Sequence, residues 1–143
     1  MTRAIHPWRR FAALGQVRLL WHDGGEAGVT DFVGGTVSLR RGMTQAERRT
    51  TVLHECLHVE RGPVPVTLAE REELRVEKET ARLLLPDLEV VAVALEWSRD
   101  LHEAAEDLWV DEQALRVRLE HLGAGERAWL EARLDGVRGA GGA

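Results

Sequence analysis

Thr50-Thr51-Val52-Leu53-His54-Glu55-Cys56-Leu57-His58-Val59-Glu60 is the stretch around which the rest of the chain is organised. Residues four apart on an α-helix lie one turn apart on the same face. A helix here brings the imidazoles of His54 and His58 to one metal ion and sets Glu55 beside them. Zinc takes neutral His nitrogens at about 2.0–2.1 Å and, in catalytic sites, keeps one position open for water. The ion lowers that water's pKa to about 7, where a neighbouring carboxylate can accept its proton.

The flanking residues place the motif on a helix. Thr44-Gln45-Ala46-Glu47 has the form of a capping box and starts it. Val52, Leu53, Cys56, Leu57 and Val59 supply an apolar side. Gly62-Pro63 ends it, because glycine closes helices and proline cannot continue one. His54-Glu55-x-x-His58 is the zinc-peptidase pattern H-E-x-x-H. The competing reading is a surface helix that carries two His and a Glu with no common task.

Two imidazoles make an incomplete catalytic zinc site, so a third protein ligand is required. A third His two turns further on, as in H-E-x-x-H-x-x-G-x-x-H, is absent: Arg61 stands at the Gly position and Val64 at the His position. A carboxylate from the following helix is the remaining common solution, and that helix offers Glu70, Glu72, Glu73, Glu77 and Glu79. Glu73, Val76, Glu77, Thr80, Ala81 and Leu84 share one face, with Glu72 and Glu79 to its sides. Glu73 is therefore the expected third ligand, with Glu77 placed to accept a ligating imidazole's other N–H. Glu72 and Glu77 are the alternatives.

Before the motif, Pro7 opens a helix over residues 7–14 with Trp8, Phe11, Ala12 and Leu14 on its apolar side. Residues 16–21 read as a strand, Asp23-Gly24-Gly25 as a turn, and 28–32 and 36–40 as two further strands. The expectation is a small, mainly antiparallel three-stranded sheet. After the motif, residues 63–66 must be extended. A helix then runs over 67–85, with Leu74, Val76, Ala81 and Leu84 on its core side. Helices over 87–97, 100–109 and 111–122, and a last one ending near 134, form a C-terminal bundle. The glycine-rich residues 137–143 read as a disordered tail. The fold class is α+β and mostly helical, with 1–136 as one domain (core 1–86, helical part 87–136).

The chain of 143 residues is 44% hydrophobic and 30% charged, which suits one soluble domain with a real core. No apolar run approaches the roughly 20 residues of a membrane span, and no signal-peptide pattern opens the chain. The lone Cys56 rules out an intrachain disulfide, reads as a small buried apolar residue, and makes a reducing cytoplasm the expected location. Net charge is −5, with eight Arg against four acids in residues 1–53 and the excess acid beyond. That distribution lacks the basic stripe of a nucleic-acid binder, and no direct nucleic-acid contact is expected.

Taken together, the strand, the capped His-Glu-x-x-His helix and a helix ending Ala81-Arg82-Leu83-Leu84-Leu85-Pro86 resemble the ImmA/IrrE-type metallopeptidases. That family follows H-E-x-x-H with a helix of the type E-x-E-A-N-x-x-A-x-x-L-L-M-P. Counting back from Pro86 sets the first Glu on Glu73, while Arg75 and Glu77 depart from the second Glu and the Asn. The resemblance implies a zincin-like core, bound Zn2+, and a cytoplasmic endopeptidase that cleaves a helix-turn-helix repressor and so switches on phage, mobile-element or stress genes. Its substrate would add a strand beside residues 36–40. Glu55 would be the general base. With no Tyr in the chain, the oxyanion would be met by a His, an Arg or a backbone N–H; His22 and His102 are the free His candidates.

Two other readings stand beside this one. Residues 104–122 resemble a helix-turn-helix, yet the would-be recognition helix 111–122 carries three acids against two Arg and has little to offer phosphates. A folded interaction protein that retains zinc without useful peptidase activity is the other.

Overall fold

The computed structural model describes residues 5–141. In order these are α1 (Pro7–Ala12), β1 (Arg18–His22), β2 (Gly28–Asp31), β3 (Thr36–Arg40), α2 (Gln45–Arg61), a 3-10 turn at Val66–Leu68, α3 (Ala69–Leu84), α4 (Leu88–Trp97), α5 (Leu101–Asp107), α6 (Glu112–Glu120) and α7 (Ala124–Gly141). The class is α+β with a dominant helical part. None of the described helices is long and apolar enough to cross a membrane.

The central element is α2. Its capping box forms as expected: Thr44 Oγ1 accepts from Glu47 N at 3.2 Å, and Glu47 Oε1 accepts from Thr44 N at 3.0 Å. Gly62, at φ 83°, closes it. One side of α2 sends Val52 against Val37, Leu39 and Met43 under the sheet. The other sends Leu53 and Leu57 into a cluster with Val76, Leu84, Val91, Ala105 and Leu115 from the helices. Burying such a side chain stabilises by about 1.5–3 kcal/mol. Two cores thus clamp the helix that carries the two His, and fix its rotation.

The sheet is mixed, which corrects the antiparallel expectation. Its order is β1-β3-β2, with β3 parallel to β1 and antiparallel to β2. The chain bends at Asp23-Gly24-Gly25, where a turn is expected, but the bend does not join neighbouring strands. Instead Gly24 and Gly25, at φ 63° and 73°, start a wider connection that carries the chain across two strand spacings, about 10 Å. The position left between β1 and β2 is then filled by β3. Both sides of β3 are therefore paired, and no added strand can lie against it; the strand with an open side near α2 is β2.

Other boundaries move for local reasons. Leu74, expected on the core side of α3, is 45% exposed. At about 100° per residue it sits on the flank of the face made by Val76, Thr80 and Leu84. Helix α5 ends at Asp107 because Trp109 turns left-handed at φ 61°, and Val110 N reaches back to Ala105 O at 3.1 Å, as in a Schellman cap. Helix α6 stops at Glu120, where His121 Nδ1 bonds Val117 O at 2.9 Å. Helix α7 runs to Gly141, through most of the segment expected to be a disordered tail; residues 142–143 lie outside the described ones.

Candidate metal centre

On α2, His54 and His58 present their Nε2 atoms 3.2 Å apart. Glu73, from the first half of α3, closes the group: Oε1 lies 2.8 Å from His54 Nε2 and Oε2 lies 2.8 Å from His58 Nε2. These three residues are the set whose donor atoms all fall within 4.8 Å of one another among the described residues. Tetrahedral bonds of about 2.0–2.1 Å put ligand atoms about 3.3 Å apart. The imidazole pair already matches that edge, and a shift of a few tenths of an ångström at Glu73 completes it. Two His nitrogens and one carboxylate are a donor set that suits zinc, so the residues fit the ion that the motif implies.

The rival carboxylates are turned elsewhere. Glu72 is paired with Arg61 at the end of α2. Glu77 lines the cleft beside the triad but accepts no hydrogen bond from either imidazole, contrary to the expected pairing; its charge reaches His54 only through space. The Glu73 carboxyl is held far below the usual carboxylate range, first by the hydrogen bond from His54 and then by that from His58. Burial pulls the His54 pKa down, but the hydrogen bond and charge of Glu73, with Glu55 and Glu77, outweigh it and leave the imidazole above its ordinary 6.5.

Glu55 is buried, 6% exposed, and its Oε2 accepts from Thr30 Oγ1 at 2.5 Å. Gly28, on the same strand, lets β2 come this close: a Cβ there would stand 2.6 Å from Thr51 Cγ2 and 2.8 Å from Glu55 Cγ. A substituent would have to push the helix and strand apart. Glu55 is thus fixed between its own helix and the open-sided strand β2.

His54 and Glu73 open on a cleft of about 240 Å³. Gly28 and its neighbours Glu26 and Ala27 form one wall; Asp111, Gln113, Ala114 and Val117 form the other. That second wall is docked on α2 itself. Asp111 N donates to Thr50 Oγ1 at 3.0 Å, one turn before His54, and Arg49 Nη1 donates to Trp109 O at 2.6 Å. Asp111 also caps α6, accepting from Ala114 N at 2.7 Å, while burial raises its pKa. The cap at Asp111 is marked in the sequence, but its place over the cleft is not. Thr30 and Gly28 were missed as well, since nothing local marks a strand residue as the neighbour of a helix residue 25 positions away.

His22 and His102 are not in the cleft. His22 Nδ1 lies 2.6 Å from Ser38 Oγ and its Nε2 lies 2.7 Å from Glu26 O; His102 is an exposed neighbour of Glu112. Cys56 is fully buried, burial is the first cause that pushes its thiol up to about 12, and it stands outside the group formed by His54, His58 and Glu73. Comparisons of the chain with protein-family models, with curated proteins and with solved structures find no match.

Proposed function

We propose that this chain is a zinc-dependent endopeptidase with His54, His58 and Glu73 as ligands and Glu55 as general base. The observation that carries the reading is the meeting of both Nε2 atoms with the Glu73 carboxylate at 2.8 Å, beside a buried glutamate. A surface helix with two unrelated His gives no reason for a carboxylate from another helix to divide its two oxygens between them.

Zinc held there would acidify a water and polarise a scissile carbonyl. Glu55, fixed by Thr30, takes a proton from the attacking water and passes it to the leaving amine. Thr30 keeps that carboxylate at one place through both transfers. A peptide adding a strand would pair with the open side of β2, which puts its backbone along the wall that holds Gly28. The opposite wall, α6, is fastened to α2 through Asp111 and Thr50, so the cleft has a defined width.

The zincin-like core, the ImmA/IrrE kinship and a helix-turn-helix repressor as substrate belong to the same proposal. They are supported by the order of elements and by the position of Glu73 counted back from Pro86. The helix-turn-helix alternative loses support from packing: Ala114, Leu115, Val117 and Arg118 of α6 are buried, and its first turn faces the cleft.

The test is to mix the zinc-loaded protein with candidate helix-turn-helix repressors. Cleavage that disappears in Glu55→Gln, with zinc retained, supports the enzyme. Full zinc and no cleavage of any candidate repressor would favour the interaction protein that merely retains the metal.

A further inference from the structure

When water adds to a peptide carbonyl, a C–O bond forms, the C=O π pair moves onto oxygen, and the proton goes to Glu55. The negative charge then needs a positioned donor, and preorganised donors of this kind contribute about 10²–10³ in rate. The chain has no Tyr. Among the described residues, the cleft has no Arg or Lys on its lining, and its one lining His is the ligand His54.

The remaining side-chain donors on that lining can be taken in turn. Thr51 Oγ1 points at Met43 Sδ, 3.9 Å away, and Thr80 Oγ1 donates to Val76 O at 2.7 Å. Thr50 Oγ1 accepts Asp111 N–H and keeps its own O–H, but Thr50 is buried, 7% exposed, whereas Gln113 is exposed. Gln113 is left. Its amide has no hydrogen-bond partner among the described residues, and it lines the wall opposite β2. Its place relative to the ligands is fixed two residues earlier, where Asp111 is tied to Thr50, one turn before His54. The neighbouring Glu112 turns away, toward Arg116 at 2.7 Å. A substrate lying along β2 would share the cleft with Gln113.

We propose that the Gln113 side-chain amide donates to the oxyanion of the tetrahedral species, as a catalytic residue that the H-E-x-x-H pattern does not contain. The assignment rests on the peptidase reading above.

The experiment uses the zinc-loaded protein and two probes, titrated by calorimetry. An N-phosphoryl dipeptide presents a tetrahedral anion; a mercaptoacyl dipeptide presents sulfur in its place. Gln113 is exposed in the first turn of α6, so Gln113→Ala and the uncharged, similarly sized Gln113→Met leave the fold in place, which thermal unfolding checks. The expected result is that both variants keep full zinc, bind the mercaptoacyl probe as the parent does, and bind the phosphoryl probe about 10- to 100-fold more weakly. Unchanged phosphoryl binding would overturn the role of Gln113 and leave the peptidase reading intact. Equal loss of both probes would also overturn it, as that is the mark of a residue that only shapes the cleft. A parent protein that holds zinc and binds neither probe would overturn both.

Discussion

The Thr30 hydroxyl donates to Glu55 Oε2 at 2.5 Å, joining the edge strand β2 to the carboxylate beside the triad. Glu55 is only 6% exposed, so losing that donor leaves one oxygen of a buried carboxylate short of a partner. Thr30→Val is expected to lower stability by about 1–3 kcal/mol and to reduce peptide cleavage, with zinc content unchanged. Thr30→Ser keeps the hydroxyl and should restore most of both. Urea unfolding and metal analysis of the two variants check this; equal behaviour of Val and Ser would mean the hydrogen bond has no role.

Gly28 should be the most sensitive small residue of the sheet. An added Cβ meets Thr51 Cγ2 at 2.6 Å, Glu55 Cγ at 2.8 Å and Glu55 Oε1 at 3.0 Å. Gly28→Ala is expected to cost about 1–3 kcal/mol through overpacking and to displace Glu55, so that cleavage falls more than zinc binding does. Gly25→Ala is the comparison, since a Cβ there meets nothing within 4 Å and only its φ of 73° opposes it. A Gly28→Ala protein with parental stability and activity would show that strand and helix have room to part.

Glu72 and Glu73 are adjacent in sequence and divided in role. Glu73 bridges His54 and His58, whereas Glu72 pairs with Arg61. Glu73→Ala is expected to lower zinc affinity by about 100-fold or more, the consequence of removing one of three protein ligands, and Glu72→Ala by less than about threefold. Competition against a chelating dye measures both. Equal or reversed losses would mean that α3 presents a different face to the imidazoles in solution.

The same triad predicts a pH dependence. With no metal bound, protonated His54 is held by Glu73, and its raised pKa means this contribution is full below 6.5 and lost as pH rises through the raised value. The depressed Glu73 contributes above 4.5 and loses its effect as pH falls through its lowered pKa. The metal-free protein should therefore draw most from this pair between those two values. Zinc needs the neutral imidazole, so its affinity should climb with pH through the raised His54 value and then level off. Chelator competition from about pH 6 to about pH 8 reads the slope; a flat profile would mean that no His proton is displaced.

What could be read from the sequence was whatever depended on short separations. Thr44 and Glu47 announced the start of α2, Gly62 its end, and helical periodicity put Glu73, not Glu72, toward the imidazoles. Strand order was not legible, because Asp23-Gly24-Gly25 signals a reversal without saying whether the next strand is a neighbour or lies one place further away. The order matters for the site, because the resemblance implied an added strand beside residues 36–40, whereas β3 is paired on both sides and the open side near α2 belongs to β2. Trp109 was equally hidden: a left-handed bulky residue goes against local preference and is held there by Arg49, 60 positions away, with its guanidinium 5.7 Å from the ring. The cleft's second wall depends on that long-range anchor, so Asp111 was legible as a cap and Gln113 not at all.

Whether His54, His58 and Glu73 share one ion can be seen in a crystal grown with zinc and measured on both sides of the zinc absorption edge. One strong anomalous peak is expected about 2.0–2.2 Å from both Nε2 atoms and from a Glu73 oxygen. A map with no peak between the imidazoles, or with an ion there and Glu73 out of reach, would contradict the shared site.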